Sequence, residues 1–220
     1  DIFFECEGIR YYSNVMTTFT PMLRKAIQKA RELDITTIAP GHGPLYRNNV
    51  EKIMDDYSRY SQYAEGAGKN EITILWGSMY GMTGKAIAHA ETILKREGIK
   101  YNKLEMPLES ESEMVATVFK SAGVIIAAPT YEYKLFPPVA AALDELGRKK
   151  VSNKAAFRFG SFGWSGGAEK ELAEIIERNK MKWDFVPSVE FEGSPKEEDL
   201  KKIEDGILQL IDKIKGKIIE

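Results

Sequence analysis

Small and hydroxyl-bearing residues are concentrated in residues 77–84, "GSMYGMTG", after a short apolar run and before a helix-like stretch. Ser78 and Thr83 offer hydroxyl groups, while Gly81 and Gly84 let the backbone bend and approach a ligand closely. A helix that begins here would present free backbone N–H groups, which bind anions. The spacing matches neither the P-loop pattern nor the dinucleotide-binding pattern G-x-G-x-x-G. The segment therefore predicts a cradle for a single phosphate group; the alternative is a strand–helix turn capped by Ser and Thr.

Aromatic residues mark two further segments, residues 128–138 ("APTYEYKLFPP") and 159–168 ("FGSFGWSGGA"). Tyr131 follows a Pro-Thr pair in the first segment, and Phe162 and Trp164 lie among glycines in the second. Aromatic side chains in such loops are suited to forming walls around a flat ring system. The alternative is that they only cap a sheet. A phosphate cradle together with two aromatic loops predicts a mononucleotide site with a planar head group, and FMN is the leading candidate.

The elements that would position these loops alternate regularly from residue 71 to the end of the chain. This alternation predicts a doubly wound α/β fold, with a parallel sheet and right-handed crossovers. Ligands bind such sheets beyond the carboxyl ends of the strands, where the strand order reverses, so we expect the three segments to meet there. The predicted strands are 71–77, 101–106, 124–130, 154–161 and 183–193, and the predicted helices are 84–98, 111–123, 137–149, 166–180 and 196–216.

The first 64 residues form a separate predicted part. Apolar residues at helical spacing predict helices over 20–34 and 49–65, and "ITTIAP" at 35–40 predicts a short strand followed by a turn. The small, polar stretch "EGAGKN" that follows is typical of a flexible linker. We therefore predict three regions: residues 1–64, a linker over 65–71, and an α/β domain over 72–220.

Composition narrows the classes of partner and compartment. The net charge of −2 over 220 residues argues against nucleic acid or an anionic membrane as the main partner. The single cysteine, Cys6, suits a reducing compartment. No apolar run approaches the roughly 18 residues that a membrane helix needs, and no signal-peptide pattern is visible. We therefore expect a cytoplasmic location and no membrane anchor. The first residue is Asp1 rather than Met, which predicts a processed chain or a piece of a longer one.

Three of these segments carry a resemblance to a known family. Residues 72–220 resemble flavodoxins at "SMYGMT", "PTYEYKLFP" and "GSFGWSGGA", and the pattern S-M-Y-G-x-T with S-x-G-W is similar to the flavodoxin domain of flavodiiron proteins (A-type flavoproteins). In that family a metallo-β-lactamase-like domain comes first, and residues 35–47, "ITTIAPGHGPLYR", resemble its end. The resemblance implies a flavodoxin-like, doubly wound, five-stranded parallel sheet that binds FMN, preceded by a partial metallo-β-lactamase-like α/β segment.

The same resemblance implies a set of cofactor-binding residues. One departure from the family is that Glu132 and Tyr133 stand where members often have Asn, which affects hydrogen bonding to the pyrimidine edge of the flavin. The residues implied around the phosphate are Ser78, Met79, Tyr80, Gly81, Met82 and Thr83; those beside the ring and ribityl chain are Pro129, Thr130, Tyr131 and Glu132; those of the opposite wall are Ser161, Phe162, Gly163 and Trp164.

His42 in "PGHGP" resembles the last ligand of the family's diiron centre. Such a centre needs several His and carboxylate ligands, and this chain has only one other histidine, His89, which we interpret as a helix-surface or packing residue. The family's H-x-E-x-D-H cluster is absent from the sequence. We therefore expect the C-terminal portion of a flavodiiron protein, with most of the diiron site outside this chain. Residues 1–64 should then be loosely held, packed on the flavodoxin-like domain or on another chain.

Three hypotheses follow for the function. In the first, the chain is the FMN-binding part of a flavodiiron oxidoreductase that reduces dioxygen to water or nitric oxide to nitrous oxide. The resemblance then implies a rubredoxin-like protein or a reduced deazaflavin coenzyme as electron donor, and a head-to-tail homodimer. In the second, the chain is a flavodoxin-like electron carrier without a metal site. In the third, the fold serves interaction without a cofactor. No acid–base catalytic residue is predicted, because the cofactor carries the chemistry.

Overall fold

The computed structural model describes residues 2–219. Asp1 and Glu220, the outer bounds of the predicted regions, lie outside the described residues. The strands are β1 Lys69–Trp76, β2 Lys100–Glu105, β3 Ser121–Ala127, β4 Thr130–Tyr131, β5 Lys134–Leu135, β6 Ala155–Phe162, β7 Asp184–Phe185 and β8 Val189–Glu192.

One parallel sheet contains all of these strands except β4 and β5, which form a small antiparallel hairpin. The order is β2-β1-β3-β6, and β7 and β8 lie one after the other along the free side of β6. The sheet thus has five strand positions, and the last is split near Pro187, whose ring nitrogen has no hydrogen to donate to a ladder. The predicted doubly wound sheet is confirmed, and its order reverses between β1 and β3.

Helices cover both faces of the sheet. One face packs against α4 and α8, and the other packs against α5, α6 and α7. Every residue of β3 is buried, as expected for a central strand covered on both sides. The helices are α1 Ile2–Tyr11, α2 Thr20–Arg31, α3 Val50–Ala64, α4 Met82–Arg96, α5 Glu111–Lys120, α6 Pro137–Arg148, α7 Ala168–Arg178 and α8 Glu197–Ile214.

The helix predicted over 111–123 is too long by three residues. It ends at Lys120, and β3 begins at Ser121 without an intervening loop. Gly123 does not end the helix but lies within the strand, where a Cβ atom would come within 2.8 Å of Ile214 on α8. The glycine is therefore explained by the close approach of a helix to the sheet rather than by helix termination.

Residues 2–64 pack on the α/β domain, which is one of the two placements predicted for residues 1–64, but they are not loosely held. Tyr12, in the π-helical turn Tyr12–Met16 that follows α1, is 0% exposed. Its ring lies 5.7 Å, centroid to centroid, from those of Tyr60 on α3 and Phe119 on α5. Tyr63 contacts Phe119 as well, with 5.9 Å between ring centroids. Because Phe119 belongs to the α/β domain, this aromatic cluster joins the first helices to the main hydrophobic core.

The predicted strand over 35–40 is also wrong. It contributes only an isolated antiparallel bridge between Ile38 and Tyr46. A β-branched segment forms a ladder only when a neighbouring strand is available. Apart from this bridge, residues 2–64 are helical or irregular, so no such strand is present there.

The predicted linker over 65–71 is a packed connection. β1 already begins at Lys69, and Gly68 exchanges backbone hydrogen bonds with Lys217 (2.9 Å) and Ile219 (3.0 Å). Gly66 has a φ of +103°, and a Cβ atom there would lie 2.5 Å from the Cβ of Asn153. These glycines therefore serve a left-handed turn and close packing rather than flexibility.

Lys154, immediately before β6, is a buried lysine beneath this connection. Its Nζ donates to the carbonyl oxygens of Phe119 (2.7 Å) and Ala67 (3.0 Å). Burial, reinforced by the nearby charge of Lys217, lowers the pKa of Lys154 to about 7. An unfolded lysine titrates at about 10.4, so between these two values the unfolded chain binds a proton that the folded chain does not.

The free energy of unfolding should therefore increase with pH above 7, with a slope of up to about 1.4 kcal/mol per pH unit, because the unfolded state binds more protons there. Urea unfolding at pH 7, 8 and 9 measures this slope. Lys154→Met should remove it, whereas Lys201→Met, at an exposed position of α8, should keep it. Equal slopes in the wild-type protein and Lys154→Met would contradict the assignment of the slope to Lys154.

Candidate functional site

A cavity of about 260 Å³ lies at the carboxyl ends of β1, β3 and β6, on the side where the strand order reverses. The three segments singled out by sequence converge there, as the parallel topology requires. The lining residues are Met79, Tyr80, Met82, Pro129, Thr130, Tyr131, Glu132, Tyr133, Ser161, Phe162, Gly163, Trp164, Ser165 and Gly193.

Among the predicted cofactor-binding residues, Ser78, Gly81 and Thr83 do not line this cavity. They shape the first loop instead: the Gly81 N–H donates to Ser78 Oγ (3.0 Å), and the Thr83 hydroxyl lies 3.2 Å from that of Ser161. The contact between Thr83 and Ser161 is buried and ties the first loop to the third.

The N-terminus of α4 faces this region with free donors. Gly81 precedes the helix with a φ of +79°, and no side chain of the described residues caps it. The first backbone N–H groups of an α-helix have no partner within the helix, so this end carries partial positive charge and open donors. The arrangement suits a phosphate group.

The second loop is the hairpin of β4 and β5, in which Glu132 and Tyr133 form the two-residue turn. Their φ angles are +47° and +62°, which is the left-handed geometry that hairpins usually fill with Asn-Gly. Large side chains adopt this conformation only at an energetic cost. The Leu135 N–H donates to Glu171 Oε2 on α7 (2.6 Å), and the carbonyl of Tyr133 lies so close to Gly167 that a side chain at Gly167 would collide with it. The first turn of α7 thus holds the strained hairpin in place.

Exposed aromatic rings surround the cavity. Trp164 is 84% exposed and Tyr80 83% exposed, and Tyr131 and Tyr133 are also exposed. Within the cavity lining, the hydroxyl oxygen of Thr130 is buried and has no hydrogen-bond partner among the described residues. A buried polar atom of this kind costs free energy unless a ligand or water satisfies it. Exposed rings, an unpaired hydroxyl group and an uncapped helix N-terminus together fit a mononucleotide with a planar head group.

Sequence reasoning missed part of this site. Tyr133 was noted only as a departure from a family pattern, and Ser165 and Gly193 were not considered. Gly193 follows β8, and its N–H donates to the carbonyl of Phe162 (2.8 Å), so a fourth loop supports the third. The signal for this fourth loop is the glycine directly after the last strand.

His42 lies on an exposed loop, with its ring centroid 6.1 Å from that of Tyr11. Residues 2–219 contain no group of three or more His, Cys, Asp or Glu side chains placed to hold a metal ion. The side chains of residues 2–219 therefore do not form a diiron centre by themselves.

Comparisons with known proteins bear on this geometry, although no family model matches the sequence. The structure superposes on rubredoxin oxygen:oxidoreductase from Desulfovibrio gigas with a TM-score of 0.85 and 25% identity, over 97% of this chain and 53% of that one. It matches the flavodiiron protein of Giardia intestinalis with a TM-score of 0.81 and 25% identity, over 95% of this chain and 51% of that one. The chain is homologous to flavodiiron proteins. A nitric oxide reductase of Moorella thermoacetica is also 29% identical to it over 199 residues, which are 89% of this chain and 49% of that protein.

The chain spans about half the length of the curated relatives it matches. Its sheet with the surrounding helices also has the fold of a shorter protein: an archaeal flavodoxin superposes with a TM-score of 0.57 and 18% identity, over 66% of this chain and 99% of that one. The flavodoxin-like fold predicted from sequence is thus confirmed. None of the helices described between residues 2 and 219 is long and apolar enough to cross a membrane.

Replacement of Glu132 by Asn should stabilise the chain by about 0.5–1 kcal/mol, because Asn tolerates the left-handed conformation better than Glu does. The measurement is the urea midpoint in the absence of ligand. Lys134→Asn serves as the control, since Lys134 lies in β5 of the same hairpin. A loss of stability in Glu132→Asn, or an equal gain in both variants, would contradict the assignment of strain to the turn.

Proposed function

We propose that this chain binds FMN in the cavity and transfers electrons as the flavodoxin-like part of a flavodiiron-type oxidoreductase. The observation that carries the proposal is the meeting of an uncapped helix N-terminus with two aromatic loops at one edge of the sheet. The homology to flavodiiron proteins supports the same conclusion.

In this proposal the N-terminus of α4 and the loop 78–83 hold the phosphate group. Residues 129–133 border the ring and the ribityl chain, with the hydroxyl group of Thr130 as a hydrogen-bond donor or acceptor to the ligand. Residues 161–165 form the opposite wall, in which Trp164 covers the ring and excludes water. FMN would supply reversible transfer of one or two electrons, and the protein supplies binding, orientation and local electrostatics.

The activity of the complete protein is a further part of the proposal. Relatives are named nitric oxide reductase and rubredoxin oxygen:oxidoreductase, so we infer reduction of nitric oxide to nitrous oxide, or of dioxygen to water, at a diiron site. His42 is proposed as one ligand, and residues 1–64 as the end of the metallo-β-lactamase-like domain that precedes the domain over 72–220. Residues 2–219 do not hold the remaining ligands, so no step at iron is derived from them.

The proposed donor is a rubredoxin-like protein or a reduced deazaflavin coenzyme, and the proposed assembly is a head-to-tail homodimer in the cytoplasm. A stand-alone electron carrier is the second candidate. It is favoured by the likeness of the sheet and its helices to a complete flavodoxin, 99% of which is covered. Gas consumption by the iron- and FMN-loaded full-length protein would distinguish the two functions, because the carrier would cycle its flavin without turnover.

Trp164→Ala should weaken FMN binding about 10- to 100-fold, because stacking of a ring system on an aromatic side chain contributes about 1–3 kcal/mol. Titration of the apoprotein with FMN, followed by the visible absorption and fluorescence of the flavin, measures the affinity. Phe3→Ala is the matched control, since Phe3 is an exposed aromatic residue on α1. Failure of the wild-type protein to bind FMN would refute the proposal. Equal FMN affinities in Trp164→Ala and Phe3→Ala would show that Trp164 does not contribute to FMN binding.

Recognition of the phosphate group predicts that FMN binds more tightly than riboflavin, which lacks it. Gly81→Ala should weaken FMN binding about tenfold, because the strained φ of +79° displaces the first turn of α4, and should change riboflavin binding little. Gly98→Ala is the matched control: Gly98 follows α4 with a φ of +67°, and a Cβ atom at either glycine meets open space. The same affinity for FMN and riboflavin in the wild-type protein would contradict the assigned phosphate position.

A further inference from the structure

Arg158, on β6, is a permanently charged side chain with no exposure to solvent. Its Nη1 donates to Glu190 Oε1 on β8 at 2.7 Å, and its Nη2 lies 3.4 Å from the carbonyl oxygen of Ala128. Its Nε is buried and has no hydrogen-bond partner among the described residues. A buried and incompletely paired guanidinium group is costly, so its presence points to a role other than stability.

The pair lies directly beneath the candidate flavin site. Ala128 immediately precedes Pro129, the first residue of the second loop to line the cavity. A Cβ atom at Gly160, which precedes Ser161, would collide with the Ala128 carbonyl and lie 3.3 Å from Arg158 Nη2. The guanidinium group is therefore enclosed where the second and third loops leave the sheet.

Glu190 supports the far end of the third loop. A Cβ atom at Gly166 would lie 2.7 Å from Glu190 Oε2, so the backbone of the loop passes directly over the carboxylate. This contact places the loop that carries Trp164 against β8. The ion pair thus links β6 to β8 and to Ala128, the residue that follows β3. The second and third loops, which form two walls of the cavity, follow β3 and β6.

The two charges differ in their exposure. The Arg158 side chain is 0% exposed and the Glu190 side chain 26% exposed, so water screens the carboxylate more than the guanidinium group. The guanidinium charge, which lies beside the Ala128 carbonyl and Gly160, is therefore the less screened of the two. A flavin that accepts electrons gains negative charge, and nearby protein charge is one of the means by which its electronics are tuned.

We propose that Arg158 and Glu190 are positioning residues that hold the second and third loops together and set the reduction potential of the flavin bound above them. This inference rests on the proposed function, since it concerns the same cavity. Neither residue needs to touch the flavin: the pair acts through the loop backbone and through its electric field.

The test is the midpoint potential of FMN-loaded protein, measured by dye-coupled spectroelectrochemistry on the full chain. Glu190→Gln should raise the potential, because it removes a negative charge and leaves the guanidinium group unneutralised. Arg158→Gln should lower it, and Arg158→Lys should restore it toward the wild-type value by retaining the charge. Glu174→Gln, at an exposed position of α7, should leave it unchanged and controls for the change in net charge.

The outcomes separate the two proposals. Failure of the wild-type protein to bind FMN refutes the proposed function, and this inference with it. If FMN binds but Glu190→Gln and Arg158→Gln both keep the wild-type potential, only the inference on the ion pair is refuted. Glu190 is partly exposed, so Glu190→Gln should fold even if Arg158→Gln does not. A midpoint potential that falls or stays constant in Glu190→Gln would then refute the inference on the ion pair.

Discussion

The burial of β3 on both faces is the constraint on which the remaining structure depends. A strand whose side chains are all buried is fixed in register by its neighbours and by the helices above and below it. Its parallel pairing with β1 and β6 brings the carboxyl ends of three strands to one edge of the sheet. The loops that form the cavity are irregular, but each begins at a point that the sheet holds rigidly. A rigid, packed sheet thus positions the loops that carry function, as is common in proteins.

The first helices belong to the same packed body as the sheet. The aromatic cluster of Tyr12, Tyr60, Tyr63 and Phe119 is continuous with the core beside α5, and Glu5 on α1 forms an ion pair with Lys69 at the start of β1 (2.8 Å). The shift in sequence character near residue 65 is therefore not accompanied by a gap in packing. Side chains from α1, α3 and α5 thus share one hydrophobic core.

Sequence reasoning succeeded where one physical rule dominates the local pattern. Continuous apolar runs predicted the strands, helical spacing predicted α4 to α8, and the parallel topology brought the three loops together. It failed where tertiary contacts decide the role of a residue. The glycines of the predicted linker, Gly66 and Gly68, permit close packing rather than flexibility. In the predicted strand over 35–40, Ile38 lacks a neighbouring strand with which to form a ladder.

In the candidate site, too, the sequence predicts the features set by local patterns and not those set by tertiary contacts. Glycines and aromatic residues in loops are visible in a sequence, so eleven of the fourteen predicted cofactor residues could be found lining the cavity. The contact of Gly193 with the third loop and the burial of Arg158 depend on which strands are neighbours, and no local pattern contains that information. The left-handed turn at Glu132 and Tyr133 runs against residue preference and is maintained by contacts with α7.

The interruption of the last strand position near Pro187 has a consequence for association. The outer side of β7 and β8 is an edge of the sheet, where unpaired backbone groups can recruit a strand from another molecule. Two short segments separated by a proline offer no long, regular row of donors and acceptors to such a strand. The break thus protects this border of the sheet against edge-to-edge aggregation while the strands nearer the cavity remain fully paired.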